Sequence, residues 1–137
     1  MGVILDSSAV IAGERKGQLA ADLLAELRII LGPEALALST VSVVELEHGV
    51  WRAKDAAQMA KRRQFFDDLF AAVPSHPLTF DIARQAARID AESKREGRVI
   101  PFQDLIIGVT ALEFNYAVAT LNVRHFQMIP NLTVKAL

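Results

Sequence analysis

Short, fully apolar runs alternate with longer stretches whose apolar residues recur at helical spacing. This alternation constrains the fold more than any other feature of the chain. Residues 3–6, 35–39 and 116–121 read as short buried strands, and residues 132–135 as a possible last one. Residues 73–78 carry Pro74 and Pro77 and can form an edge strand at most. Between them, residues 7–14 suggest a short helix or turn. Leu19, Leu23, Leu24, Leu27, Ile30 and Leu31 lie on one face of a helix that Gly32-Pro33 ends. Residues 42–53 and 56–72 are expected as helices. Residues 79–96 form a further one, with Phe80, Ala83, Ala86, Ala87 and Ile89 on one face and Gly97 at its end. Residues 101–114 start with proline at the first turn. Strands separated by helices predict an α/β fold with a central parallel sheet covered on both faces and right-handed crossovers.

A length of 137 residues fits one domain, residues 1–137, with no internal repeat or linker. With 52% hydrophobic residues the chain can bury a core without staples, and with no cysteine it has no disulfide, thiolate metal site or cysteine nucleophile. The first residues lack the basic start of a signal peptide, and no apolar run approaches the roughly 20 residues of a membrane span. A cytoplasmic location is the expectation. The net charge of −1 makes the whole molecule a poor attractor of nucleic acid, so any such binding needs local basic patches or metal ions.

The acids fall in a pattern. Asp6 ends the first strand, at the carboxyl edge where open α/β folds bind ligands. Glu45 lies in the first turn of the helix after the second strand, and Asp104 in the first turn of the helix before the strand at 116–121. Asn122 follows that strand. All four positions map to one rim. Three carboxylates there repel one another unless a divalent cation joins them, and an all-oxygen ligand set favours magnesium or manganese. Each acid also has a simpler reading. Asp6 could cap a helix, Ser42 and Glu45 match a capping box, and Asp104 could complement a helix dipole. None of these explains why all three share an edge.

Four segments resemble the motifs of PIN-domain nucleases: Ile4-Leu5-Asp6-Ser7-Ser8, the run from Ser39 to Gly49 through Glu45-Leu46, Ile100 to Gly108 around Asp104, and Ala119 to Phe126. Their order and the chain length resemble the VapC toxins of type II toxin–antitoxin modules. The resemblance implies a three-layer α/β/α sandwich and an endoribonuclease dependent on Mg2+ or Mn2+. It implies Asp6, Glu45 and Asp104 as catalytic and metal-binding acids, with Asn122 as a weaker ligand. It further implies a VapB-type antitoxin and a homodimer. In the fourth motif, family members often carry aspartate where this chain has Asn122 and His125, which lowers the charge available to a second metal. A catalytically weak or inactive RNA- or protein-binding module is the alternative.

The remaining residues narrow the chemistry. His48, His76 and His125 are too scattered for a zinc signature, although His125 could contact a scissile phosphate. No nucleophile elbow surrounds Ser7 or Ser8, and no Walker-type loop is present. A phosphoacceptor module would want an acidic pair where Asp6 is followed by two serines. Basic residues at Arg52, Lys54, Lys61, Arg62 and Arg63, and again at Lys94, Arg95 and Arg98, form either a solvated helix face or a surface that steers RNA, with Arg52, Lys61, Arg62 and Arg63 as the candidate contacts. An antitoxin helix is expected in a groove between the first helices, near Leu23, Leu27 and Leu46.

Overall fold

The computed structural model describes residues 1–137. Five strands, β1 (Gly2–Leu5), β2 (Ala35–Ser39), β3 (Ser75–His76), β4 (Ala117–Thr120) and β5 (Val134–Ala136), form one sheet in the order β3-β2-β1-β4-β5. Every pair is parallel. Seven helices connect them: α1 (Ser7–Arg15), α2 (Ala20–Leu31), α3 (Thr40–Trp51), α4 (Ala56–Ala72), α5 (Phe80–Arg95), α6 (Phe102–Phe114) and α7 (Val123–Phe126). The expected parallel α/β sheet is present, and residues 75–76 supply its edge strand.

Alternation along the strands divides the core in two. Val3, Leu5, Leu36, Leu38, Ala117 and Ala119 face one layer with Leu23, Leu24, Leu27, Leu46, Phe65, Phe66 and Leu69. Ile4, Ala37 and Val118 face the other with Ile82, Ile89, Ile106, Ile107 and Phe126. The result is a three-layer α/β/α sandwich. Gly32 (φ 88°) and Gly97 (φ 77°) take the left-handed backbone that follows α2 and α5, as glycine permits at little cost.

Two expectations about faces are corrected. The buried residues of α5 are Ile82, Ala86, Ile89 and Ser93, while Phe80 is 76% exposed and Ala83 and Ala87 face outward. Small alanines fit either side of a helix, so the face was misjudged by about one position. Leu23 and Leu27 line no groove, and Leu46 reaches one only at the floor of the cleft between α1, α3 and α4. All three are buried in the layer between α2, α3 and the sheet, so their side chains serve the core rather than an exposed face.

The chain builds outward from β1 in one direction through β2 to β3, then crosses to β4 and β5 on the other side. The carboxyl ends of β1 and β4 therefore flank the point where strand order reverses. In open parallel sheets this is where a crevice forms.

Candidate active site

Asp6 leaves β1 at that point, and its backbone N–H donates to the Ala119 carbonyl at 3.0 Å. Its side chain is 5% exposed. Asp6 Oδ2 accepts from Ser8 Oγ and from Thr120 Oγ1, each at 2.8 Å. Both hydroxyls accept in turn from backbone N–H groups: Ser8 from Leu121 at 3.2 Å and Thr120 from Asn122 at 2.8 Å. Each hydroxyl has one hydrogen, so these backbone bonds orient both hydrogens toward Asp6.

Glu45, in the second turn of α3, accepts from Ser7 Oγ at 2.6 Å through Oε2. Ser7 also lies 3.5 Å from Asp6 Oδ1, but its single hydrogen is taken by the much shorter bond to Glu45. Asp104, in the first turn of α6, pairs through Oδ2 with His125 Nδ1 at 2.7 Å. The Asn122 amide lies 3.0 Å from the same nitrogen. A ring nitrogen cannot donate to Asp104 and accept from Asn122 together. With its one hydrogen directed to the carboxylate at 2.7 Å, Nδ1 has no lone pair left for the Asn122 amide, which only borders it.

Two of the three simpler readings fail, while Asp104 does lie in the first turn of α6, where a carboxylate complements the helix dipole. Asp6 stands at the N-cap of α1 but makes no side-chain capping bond. Ser39, not Ser42, caps α3 by accepting from Val41 N. Helix α3 thus begins two residues earlier than its periodicity suggested, because the cap is the buried last residue of β2.

Asp6, Glu45, Asp104 and Asn122 line one cleft of about 420 Å³, together with Ser7, Ser8, Arg15 and Gln103. Burial, the largest influence on Asp104, raises its carboxyl pKa above the ordinary value. The hydrogen bond and charge of His125 oppose this, and the negative charges of Asp6 and Glu45 add to it. No three His, Asp or Glu side chains stand close enough to form a ready-made cation cage. The acids share a cleft, each with its own hydrogen-bond partner. Their donor chemistry nonetheless suits a hard divalent cation. Asp6 Oδ1, Glu45 Oε1 and Asp104 Oδ1 remain without a committed donor, one oxygen from each acid.

The hydroxyls of Ser7, Ser8 and Thr120 support the acids, a role the sequence did not suggest for any of them. The one available signal was Thr120, a polar residue closing an otherwise apolar strand. Of the basic residues expected to steer RNA, Arg52 and Arg62 line a cleft beside Glu45. Lys61 faces a different cleft, between the α1–α2 turn and α4. Arg63 is held by Glu47 at 2.5 Å, with its guanidinium 5.6 Å from the centre of the Trp51 ring.

A parallel α/β/α sandwich with three acids from β1, α3 and α6 in the crevice at its strand-order reversal has the form of a PIN domain. The PIN domain model matches residues 3–130, and the chain belongs to that family. Among its relatives is Ribonuclease VapC19 of Mycobacterium tuberculosis, 34% identical over 129 residues that cover 94% of this chain and 95% of that protein. Ribonuclease VapC of Rickettsia bellii is 28% identical over 134 residues, covering 98% and 95%. In fold, the chain matches a structure of VapBC2 from Rickettsia felis bound to a promoter DNA fragment. The TM-score is 0.85 at 20% identity, with 100% of this chain and 99% of that chain covered.

Proposed function

We propose that this chain is a metal-dependent endoribonuclease acting as the toxin of a type II toxin–antitoxin pair, with residues 1–137 as its nuclease domain. One observation carries the reading: three carboxylates from distant elements each fix one oxygen on a protein donor and leave the other uncommitted in a single cleft. Its relatives named as VapC ribonucleases support it.

Asp6, Glu45 and Asp104 would hold Mg2+ or Mn2+, with Asn122 as a weaker neutral donor. When bound, such an ion lowers the pKa of its water and neutralises charge on a phosphodiester. The chain's own contribution is positional. Ser8 and Thr120 fix the rotamer of Asp6, Ser7 fixes Glu45, and His125 fixes Asp104. In the overall hydrolysis a water oxygen bonds to phosphorus, the bond to one ester oxygen breaks, and a proton reaches the leaving oxygen.

The partner is a VapB-like antitoxin. Its apolar helix would lie in the cleft of about 430 Å³ between the α1–α2 turn and α4, where Leu19 is 70% exposed. Arg15 belongs to both this cleft and the acidic one, so an occupant here sits within reach of the acids. Homodimerisation accompanies the reading, and Leu78, Val99 and Phe102 form an exposed apolar groove between α5 and α6 suited to it. No helix is long and apolar enough to cross a membrane, which is compatible with action on cytoplasmic RNA.

Purified protein incubated with total RNA and Mg2+ or Mn2+ should cleave it, and chelator should stop cleavage. Absence of cleavage with either ion would leave an inactive RNA- or protein-binding module as the better description.

A further inference from the structure

The acidic cleft does not end at Glu45. Ile11, Arg15 and Glu45 also line a second cleft of about 370 Å³ between α1, α3 and α4, so the two form one continuous trough. Its second half carries Arg15, His48, Arg52 and Arg62 beside the acids Glu14 and Glu45. Arg62 is already engaged: its Nε lies 3.3 Å from Glu14 Oε1, and its Nη1 donates to the Gly49 carbonyl at 2.8 Å. Arg15 and Arg52 are exposed, and neither has a carboxylate within ion-pair distance.

We propose that Arg15 and Arg52 hold the phosphodiester chain of single-stranded RNA on one side of the bond cut at the acids, so that the strand runs out of the acidic cleft between α1 and α3. The inference rests on the nuclease reading and assigns that site its substrate track. A chain of net charge −1 with three acids in its cleft repels a polyanion, so binding needs unengaged cations beside the acids. Guanidinium groups match phosphate with paired hydrogen bonds. Arg15 borders both halves of the trough and reaches the phosphate next to the scissile one. Seven residues of helix set Arg52 roughly 10 Å beyond Glu45 along α3, so it meets a phosphate further along. Contacts of this kind position the strand without reading its bases.

The bland explanation is that a cation at the end of α1 or α3 merely complements a helix dipole. Binding of a fluorescein-labelled polyuridylate oligonucleotide, followed by anisotropy in chelator across a salt series, separates the two. The proteins compared are the full-length wild type, Arg15→Gln, Arg52→Gln, the double variant, and Arg95→Gln. Arg95 is the last residue of α5 and lies outside the trough. The double variant should bind about tenfold or more weakly, and its slope of log affinity against log salt should shrink by about 1.4, roughly 0.7 per lost phosphate contact. Arg95→Gln should bind like wild type. An unchanged slope in the double variant, with only its melting temperature lowered, overturns the inference in favour of the dipole. Equal weakening by Arg95→Gln overturns it in favour of diffuse attraction, and a wild type that does not bind overturns it outright. The cleavage assay on wild type tests the nuclease reading separately, so a wild type that cuts RNA while the double variant binds normally would sink only the track.

Discussion

Asp104 Oδ2 and His125 Nδ1 lie 2.7 Å apart, joining the first turn of α6 to the end of the short α7. The imidazole's hydrogen bond and charge partly offset the repulsion of Asp104 by Asp6 and Glu45.

This pairing leads to a prediction on stability and pH. The Asp104 pKa is raised in the folded protein, chiefly by burial. The fold therefore favours the protonated form. That contribution is fully present below the unfolded carboxyl pKa and is lost as pH rises through the folded one. Asp104→Asn should raise the melting temperature of metal-free protein at neutral pH, and the gain should vanish in acid. The same variant should lose about 10²–10³-fold in RNA cleavage, the usual cost of removing one electrostatic stabiliser. A melting series across pH, paired with a cleavage assay, checks both. A gain that grows toward acid would contradict the sign.

Thr120 is fully buried, donates to Asp6 and accepts from Asn122 N–H. Thr120→Val keeps the shape and removes both bonds. It should cost about 1–3 kcal/mol of stability by leaving a polar group unsatisfied. Cleavage should fall roughly 10–100-fold, as when outer supports of metal sites are lost. Thr120→Ser should restore most of both. Denaturant unfolding and kcat measurements on the two variants make the comparison, and equal loss in the serine variant would point to packing instead.

Ser42 is 1% exposed, and its hydroxyl is the one buried side-chain oxygen without a hydrogen-bond partner. Its burial has a desolvation cost with nothing in return. Ser42→Ala should stabilise the protein by about 1 kcal/mol and improve helix propensity as well. A lower urea midpoint for Ser42→Ala would contradict this accounting.

Leu19 sets binding against stability. It is the N-cap of α2, makes no capping bond, and is exposed in the cleft assigned to the antitoxin. Leu19→Asp supplies a capping oxygen and should stabilise the free protein by about 0.5–2 kcal/mol. It should also weaken antitoxin binding at least about tenfold, by placing a charge on an apolar contact. Calorimetry on the free protein and on titration with antitoxin tests the pair of effects. Unchanged affinity would move the antitoxin elsewhere.

Much of this architecture was legible because its signals are local. Apolar runs of strand length, Gly32-Pro33 and Pro101 mark elements without reference to the rest of the chain, and strand–helix alternation then carries Asp6, Glu45, Asp104 and Asn122 to one cleft. The hydroxyl supports of the acids were not legible. Ser7 reaches Glu45 across 38 positions and Thr120 reaches Asp6 across 114, and neither distance leaves a trace in spacing. The outward turn of Phe80 was hidden for the opposite reason. An alanine-rich helix offers two similar faces, and only packing against α6 chooses between them.

The central position of β1 has a consequence in time. The first strand made is enclosed late: Val3, Ile4 and Leu5 wait for Ala117, Val118 and Ala119 before their second edge is paired. Contacts so distant along the chain form late. A nascent or prematurely ended chain lacking β4 has Asp6 and Glu45 but no Thr120, no Asn122 and an unpaired edge on β1. Chains ending at Asn115 should therefore melt without a cooperative transition and leave RNA intact. For a protein read as a toxin, synthesis itself keeps the fragment harmless, and danger begins only with the finished molecule, when an antitoxin can meet it.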